Sequence, residues 1–346
     1  MLHSPHPATE GLAGLTWCSS ILQVKGRCTS MRVLGTIVFL SWALGCLPAS
    51  SPFVNSKNFK FQFFSCSFLY SVLVFIFGTF LHIFVHQSTT LFGEISQALH
   101  INLIACMVTE FIQSTVARSI GIIHCARIVE FVKSVRDVKE FSRKFSLKDG
   151  VNINNKGRMG PRIATYLMLA AATILQLVMA IKYFNFFIEP TSAKGIGMMF
   201  RTPFLKVVGF TICAISMVVG IATITIAMWL VVGMADALLD VHGDFFRCVI
   251  ASLKEPSMHV ATGPQGVAVL HYNFLKMKSC FGMYARITGL YLLVTITWFL
   301  AGVIYSTHAL IWPHDGITDL TSFLHTVLGL LILIIPGQLL QSQVSL

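Results

Sequence analysis

Six long apolar runs dominate this chain of 346 residues and constrain its fold more than any other feature. Each run is long enough to cross an apolar core of about 30 Å as a helix that rises about 1.5 Å per residue. Composition agrees, because 55% of the residues are hydrophobic, 11% are charged and the mean hydropathy is +0.75. We therefore predict an all-α fold, a polytopic membrane helical bundle with six transmembrane helices. The predicted spans are Phe63–His86, Leu99–Ile122, Arg162–Phe187, Leu205–Ala235, Ile287–Ile311 and Ser322–Leu340.

The distribution of positive charge between these runs predicts which side of the membrane each connection faces. Short cytoplasmic loops retain Lys and Arg, whereas translocated loops lose them. Of the 25 Lys and Arg residues, 20 fall in residues 1–62 and in the second and fourth connections, counting Arg162 at the edge of its span. Only Lys194 and Arg201 fall in the remaining connections. This asymmetry predicts a cytoplasmic amino terminus, and the net charge of +11 suits anionic lipid head groups without a nucleic-acid partner.

A shorter apolar segment, Val33–Leu47, decides the number of spans. As a helix it would be about 22 Å long, and it contains two glycines and is closed by Pro48. We therefore predict an interfacial or re-entrant helix, so that residues 1–62 form a cytoplasmic amino-terminal segment and residues 63–346 form the transmembrane bundle. If this helix spanned the membrane, the chain would have seven spans and an outer amino terminus, which is the arrangement of a G-protein-coupled receptor.

Two classes of membrane protein, the G-protein-coupled receptors and the secondary transporters, have to be weighed against other interpretations of these spans. All nine cysteines lie in predicted spans or cytoplasmic segments, so no disulfide can close an outer loop. The chain has no Asp-Arg-Tyr after a third span and no Asn-Pro-x-x-Tyr near its end. It also has no internal repeat or matched pair of broken spans of the kind that transporters carry. These features disfavour both alternatives without excluding them.

An amphipathic helix is predicted to continue out of the second span on the cytoplasmic side. In Arg127–Phe145, apolar residues recur at steps of three and four. On the other face, Lys133 with Asp137 and Arg136 with Glu140 form pairs of opposite charge four residues apart. Two placements suit such a helix: it lies on the bilayer surface, or it forms a stalk that packs against partner subunits.

The stretch Asp236–Glu255 repeats this helical pattern after the fourth span. Asp236, Asp240 and Asp244 are spaced by four with His242 alongside, a set that could hold a metal ion. We instead expect them to form a charged helix face in contact with water. The chain also lacks the Gly-x-Ser-x-Gly, His-Glu-x-x-His and Gly-x-x-x-x-Gly-Lys motifs. We therefore predict no metal, no cofactor and no enzymatic activity.

Three segments carry a family pattern: the leader from Val33–Gly35 to Gly45–Pro48, the charged helix Leu270–Leu293 that enters the fifth span, and Ile335–Leu340 at the exit of the sixth span. In these segments the chain resembles the insect gustatory receptor family of seven-helix chemoreceptors. The resemblance implies a plasma-membrane subunit of a ligand-gated cation channel that detects a small-molecule tastant. It also implies a homo- or hetero-tetramer with other gustatory receptors and a cytoplasmic amino terminus, the orientation that the charges predict independently.

One specific feature of that family is missing from the sequence. The seventh helix of the family carries Thr-Tyr, five apolar residues and Gln-Phe, and it lines the ion pore. This sequence ends at Leu346, just past the sixth predicted span. We therefore expect the chain to lack the main pore-lining segment, through truncation, splicing or decay, and to give no ligand-evoked current without added subunits.

The resemblance places the ligand pocket in the outer halves of the spans, where several polar and aromatic residues are candidates. In the fifth span Tyr291, Trp298, Tyr305 and Trp312 recur every seven residues and share one helical face. The first and last of these suit the aromatic belts of the two membrane interfaces. The candidate ligand-binding residues are His100, Glu110, Tyr183, Trp298, Tyr305 and His308. Histidines at outer helix ends are expected to be wetted at the interface; they are His82, His86, His100 and His325.

The second span has a face of polar or small residues that recur every four positions: Asn102, Cys106, Glu110, Ser114 and Arg118. Glu110 lies near the bilayer midplane, where an ionised carboxylate costs several kcal/mol unless it is paired or wetted. It should therefore face the bundle interior or be protonated. Arg118 is two turns away, too far for direct contact, so Glu110 either takes part in binding or gating or pairs with a neighbouring helix.

Overall fold

The computed structural model describes residues 29–54, 59–90, 111–148, 159–188, 203–254, 264–311 and 316–344. Within these residues the chain forms eight α-helices and no β-strand, with one isolated antiparallel bridge between Ala49 and Phe61. The predicted all-α class is confirmed, and each predicted span overlaps a helix. The helices are α1 (Thr29–Ala43), α2 (Cys66–Thr90), α3 (Phe111–Ile123), α4 (Cys125–Lys148), α5 (Met159–Ile188), α6 (Pro203–Lys254), α7 (Pro264–Ile311) and α8 (Gly316–Val344).

Two of the described helices contain a segment long and apolar enough to cross a membrane. These segments are Val218–Ile250 in α6, with a mean hydropathy of 2.2, and Gly266–His308 in α7, with a mean hydropathy of 2.0. Shorter apolar segments lie in α1, α2, α3, α5 and α8. Length and composition of this kind indicate a membrane protein without giving the number of spans. The six spans therefore stay a prediction.

The helix α6 is the centre of the bundle. It has 52 residues, which corresponds to a length of about 78 Å. It packs against α1, α2, α4, α5, α7 and α8. From Leu230 to Leu238 every residue is buried, as expected for a helix enclosed by others; all of these residues except Asp236 are apolar. The helices α1 and α2 pack mainly against α6, whereas α7, α8, α5 and α4 also pack extensively against one another.

The short helix α1 runs antiparallel to the second half of α6. At its start, the Ser30 hydroxyl donates a hydrogen bond of 2.6 Å to Asp240 Oδ2. Two turns on, Ile37 lies against Gly233, where an added Cβ would be 2.7 Å from Ile37 Cδ1. Leu34 is fully buried in the same contact. The predicted short helix is therefore confirmed, and it packs closely against the central helix.

A turn at Gly45 ends this helix four residues earlier than the sequence pattern predicts. Gly45 has a φ of 69°, in the left-handed region that favours glycine. Its N–H donates to the Trp42 carbonyl at 3.0 Å, and the Cys46 N–H donates to the Ser41 carbonyl at 2.8 Å. These two bonds form a Schellman motif, which satisfies the last carbonyls of the helix. The interfacial position of this helix and the boundary between residues 1–62 and 63–346 stay predictions.

The predicted amphipathic helix after the second span is confirmed as α4. Its apolar positions face the bundle, and five of them are fully buried: Ile128, Phe131, Val132, Val135 and Val138. The charged face differs from the prediction, because Asp137 pairs with Lys276 of α7 at 2.7 Å. Arg136 donates to the Val54 carbonyl at 3.1 Å. These partners lie outside α4, so the sequence pattern of that helix alone does not predict them.

Candidate functional site

Three rings from α7 and α8 form a cluster in the second half of α7, which we call the aromatic cluster: Trp298, Phe299 and His325. The Trp298 and Phe299 ring centroids are 4.7 Å apart, and the Trp298 and His325 rings meet edge to face at 5.8 Å. His325 is 2% exposed and Phe299 is fully buried. An added Cβ on Gly329 would lie 2.1 Å from Phe299 Cζ, so this glycine is what allows α8 to approach α7 here.

Two buried polar atoms in or next to the aromatic cluster have no hydrogen-bond partner among the described residues. They are His325 Nδ1 and Thr295 Oγ1, which lies one helical turn before Trp298. An unpaired buried donor or acceptor costs about 1–3 kcal/mol, and native structures usually satisfy such a group with protein, water or ligand. The cluster therefore combines an aromatic surface with unused hydrogen-bonding capacity, which is a suitable lining for a small molecule.

The sequence-predicted residues of α7 are only partly brought together. Trp298 belongs to the aromatic cluster and is half-buried. Tyr305 is half-buried two turns further along the helix, and His308 is exposed. Trp298 and His308 are separated by ten residues, or about 15 Å along the helix axis. One small molecule would contact Trp298 and Tyr305 more readily than all three.

Three other candidates cannot be placed in the site. His100 and Glu110 lie outside the described residues, and for Tyr183 the structure describes the backbone of α5 but not the side chain. The expectation of a wetted His325 is wrong, because the packing of α8 against α7 encloses that ring. A histidine near the end of an apolar run is predicted from sequence to lie at the membrane surface. Its burial between α7 and α8 is visible only once the two helices are packed together.

Tyr291, predicted for an aromatic belt, is also buried. It is fully enclosed, and its hydroxyl donates to the Ile224 carbonyl of α6 at 3.4 Å. A tyrosine that is buried normally finds such a partner for its hydroxyl. Tyr291 therefore ties α7 to the central helix rather than to the membrane surface, and it lies two turns before Trp298 on the same helical face.

A second polar group, which we call the acidic row, consists of Asp236, Asp240 and Asp244 on α6. The expectation that these residues face water is wrong, because they are 9%, 3% and 9% exposed, respectively. Asp240 forms an ion pair with Lys139 of α4, and Lys139 Nζ also donates to Ser30 Oγ at 3.3 Å. One carboxylate thus joins three helices. Burial of both charges requires such pairing, because an isolated buried ion is strongly unfavourable.

The ends of the acidic row have their own partners. The Tyr166 hydroxyl of α5 donates to Asp236 Oδ2 at 3.1 Å, and Arg247 of α6 pairs with Asp244 at 2.8 Å. The sequence did contain a signal for this arrangement. The second connection is rich in Lys and Arg, and a buried row of carboxylates beside it is the natural counter-charge. The spacing of the three aspartates along one helix does not show this, because the partner helices are distant in sequence.

Comparison with known proteins adds no family to these observations. A scan against models of protein families found no match to this chain, and a search of curated proteins found no match either.

Proposed function

We propose that this chain is a plasma-membrane chemoreceptor subunit of the insect gustatory receptor type. In this proposal it has six spans and a cytoplasmic amino terminus, detects a small-molecule tastant from outside, and assembles with related subunits into a tetrameric cation channel. The observation that carries the proposal is the length of its two longest helices, each of which is joined to α4 by an ion pair near one end. The resemblance of three sequence segments to that family adds to it.

The lengths of α6 and α7 exceed what one membrane crossing requires. They have 52 and 48 residues, or about 78 and 72 Å, more than twice the thickness of an apolar membrane core. Two ion pairs that join different helices in the described residues are Lys139 with Asp240 and Lys276 with Asp137. Both lie toward the ends of α6 and α7 that the positive charges assign to the cytoplasm. A transmembrane region continued by a cytoplasmic bundle accounts for both helices.

The proposed ligand site is the aromatic cluster, which lies toward the outer end of α7 in this orientation. Trp298 offers a flat apolar surface, while the unpaired His325 Nδ1 can exchange one hydrogen bond with a ligand. A ligand that suits both would be a small, largely apolar molecule with a single hydrogen-bonding group. Tyr305, two turns along the same face of α7, would contact a longer ligand.

A ligand-response experiment tests the site. The chain is expressed with and without a partner gustatory receptor, a panel of small tastants is applied, and currents are recorded at matched surface expression. Replacing Trp298 with Ala should weaken the response at least about tenfold, which corresponds to about 1.4 kcal/mol of binding energy. Tyr272→Ala is the matched control, because Tyr272 is an aromatic residue of the same helix that is 63% exposed at the opposite end. Equal sensitivity of both variants would remove the aromatic cluster as the ligand site.

Tags and flux measurements test the wider proposal. An antibody against an amino-terminal tag should bind only after permeabilisation. Binding on intact cells would refute the orientation and favour a G-protein-coupled receptor. Substrate flux across vesicles without any conductance step would favour a transporter. The absence of an evoked current in every subunit combination would refute channel function.

A further inference from the structure

Large aromatic side chains are grouped at the turn that leads into α2. We call this group the aromatic turn: Phe61, Phe63, Phe64 and Phe68. The Phe63 ring stacks on Phe68 with centroids 4.5 Å apart and meets the Phe64 ring edge to face at 5.6 Å. Phe63 is 59% exposed and Phe64 is fully exposed. Because grouped exposed apolar side chains mark contacts with another protein or with a membrane, the aromatic turn is a candidate interaction surface.

Hydrogen bonds on both sides hold the backbone of the aromatic turn in place. Ser65 is the N-cap of α2, and its hydroxyl oxygen accepts a hydrogen bond from the Phe68 N–H at 3.1 Å. On the other side, the Ser50 N–H donates to the Lys60 carbonyl at 2.9 Å, next to the isolated antiparallel bridge. The two exposed rings are therefore presented by a well-defined turn.

The exposed apolar surface continues from the aromatic turn along α2. Four residues at steps of four and three share one face of this helix and are at least 56% exposed: Leu69, Leu73, Ile76 and Phe80. On a predicted span, such a face suits lipid chains. The aromatic turn extends it past the start of the helix, to the level at which aromatic belts occur in membrane proteins. A bilayer therefore suits the aromatic turn better than a soluble protein does, because it covers both surfaces at once.

The charges near the aromatic turn favour anionic head groups. Lys60 is exposed and comes directly before Phe61. Between Glu10 and Glu94 the sequence contains no Asp or Glu. Lys and Arg close to a membrane surface attract anionic lipids, and no acidic neighbour in this part of the sequence opposes that attraction.

We propose that the aromatic turn docks on the head-group surface of an anionic bilayer. Phe63 and Phe64 enter the boundary between head groups and acyl chains, as apolar faces do in interfacial helices, while Lys60 binds a lipid phosphate. This contact sets the level at which α2 leaves the membrane. It also holds the end of α1 at that level, because the Tyr70 hydroxyl of α2 donates to the Ala43 carbonyl at 3.1 Å. The assignment of this surface to the cytoplasmic leaflet rests on the proposed function, whereas the docking itself does not.

Quenching of a new tryptophan by brominated lipids tests the depth of the aromatic turn. The purified full-length chain is reconstituted in phosphatidylcholine vesicles whose lipids carry bromine either near the head groups or near the chain ends, and the wild-type emission is subtracted. Phe64→Trp, at a fully exposed position that packing does not constrain, should be quenched more by the shallow bromines. Leu73→Trp, seven residues or about 10 Å inside α2, should be quenched more by the deep bromines. Deep quenching of Phe64→Trp equal to that of Leu73→Trp, or no quenching at all, would overturn the docking.

The control for membrane contact is Tyr272→Trp. Tyr272 is an aromatic residue that is 63% exposed on α7, fifteen residues or about 22 Å before the fifth predicted span begins at Ile287. It should be quenched by neither set of bromines. Quenching at this position would refute the proposed orientation of α7 without altering the result at Phe64, so the docking surface and the proposed function can fail separately.

The lipid charge is tested in the Phe64→Trp background. Brominated phosphatidylglycerol, mixed into unlabelled phosphatidylcholine, should quench at about one fifth of the mole fraction that brominated phosphatidylcholine requires, as expected for one lysine at an anionic surface. Lys60→Gln should bring the two mole fractions together, whereas Lys278→Gln, at an exposed lysine of α7, should leave them apart. Equal mole fractions before the lysine is changed, or an unchanged ratio in Lys60→Gln, would overturn the proposed role of anionic lipid.

Discussion

Replacing Asp240 with Asn would leave the Lys139 ammonium group buried without its counter-charge. The side chains of Asp240 and Lys139 are 4% and 13% exposed, so water has little access to either. Removing one partner of a buried pair costs about 3–5 kcal/mol, mostly because the remaining charge is stranded. The pair between Asp137 and Lys276 joins the same residue types across two helices, but these side chains are 48% and 23% exposed. An exposed pair of this kind contributes about 0.2–1 kcal/mol.

Thermal unfolding of the purified chain in detergent compares the two aspartates directly. With a shift of about 2 °C per kcal/mol, Asp240→Asn should lower the melting temperature by about 6–10 °C and Asp137→Asn by about 2 °C or less. The double variant Lys139→Met with Asp240→Leu should recover most of the loss, because apolar residues can replace a buried ion pair. If Asp240→Asn costs no more than Asp137→Asn, then water reaches Lys139 and the acidic row is not a buried site.

Two further predictions concern glycine packing and cysteine reactivity. Gly121→Ala should lower the melting temperature markedly, because the new Cβ would lie 1.7 Å from the Cys46 carbonyl oxygen and would push away the turn after α1. Gly289→Ala has no atom within 4 Å and should be neutral or stabilising by up to about 1 kcal/mol; equal losses for both would contradict the packing. Burial raises the pKa of the Cys280 thiol to about 12, so near neutral pH it should resist iodoacetamide, while exposed Cys66 reacts. Peptide mass spectrometry measures both rates, and similar rates would mean that solvent reaches the inner part of α7.

The helices of this chain could be predicted from sequence because their signals are local. The length of each apolar run follows from the thickness it would have to cross. Four runs lie within α5, α6, α7 and α8, and the first overlaps α2 but begins three residues before it. The spacing of Ile128, Phe131 and Val135 likewise predicts which face of α4 is buried, and all three residues are buried. Boundaries were less accurate, as at Gly45, because a Schellman turn depends on two hydrogen bonds rather than on hydropathy.

The partners of polar residues could not be predicted, because they come from other helices. Asp240 and His325 were both assigned to water, and both are enclosed by neighbours that lie far away in sequence. Arg118 was recognised as part of a polar face, but only the packing places Gly78 and Gly220 beside its guanidinium group. Of the candidate ligand residues, Trp298 acquires a defined environment for the same reason. The pattern of one helix predicts which way a side chain points. Its burial and its hydrogen-bond partners depend on the neighbouring helices.

The unbroken course of α7 gives it the mechanics of a lever. Its one proline, Pro264, is the first residue of the helix, so no internal proline provides a hinge. Tyr291, bonded to the central helix, lies seven residues, or about 10 Å, from Trp298 and fifteen residues, or about 22 Å, from Lys276. If Tyr291 is the pivot, a ligand that tilts the outer end of α7 would swing Lys276 in the opposite direction by about twice that displacement. A small displacement of α7 at the aromatic cluster would then produce a larger displacement at the ion pair between Lys276 and Asp137. No chain of side-chain contacts between the two places would be needed.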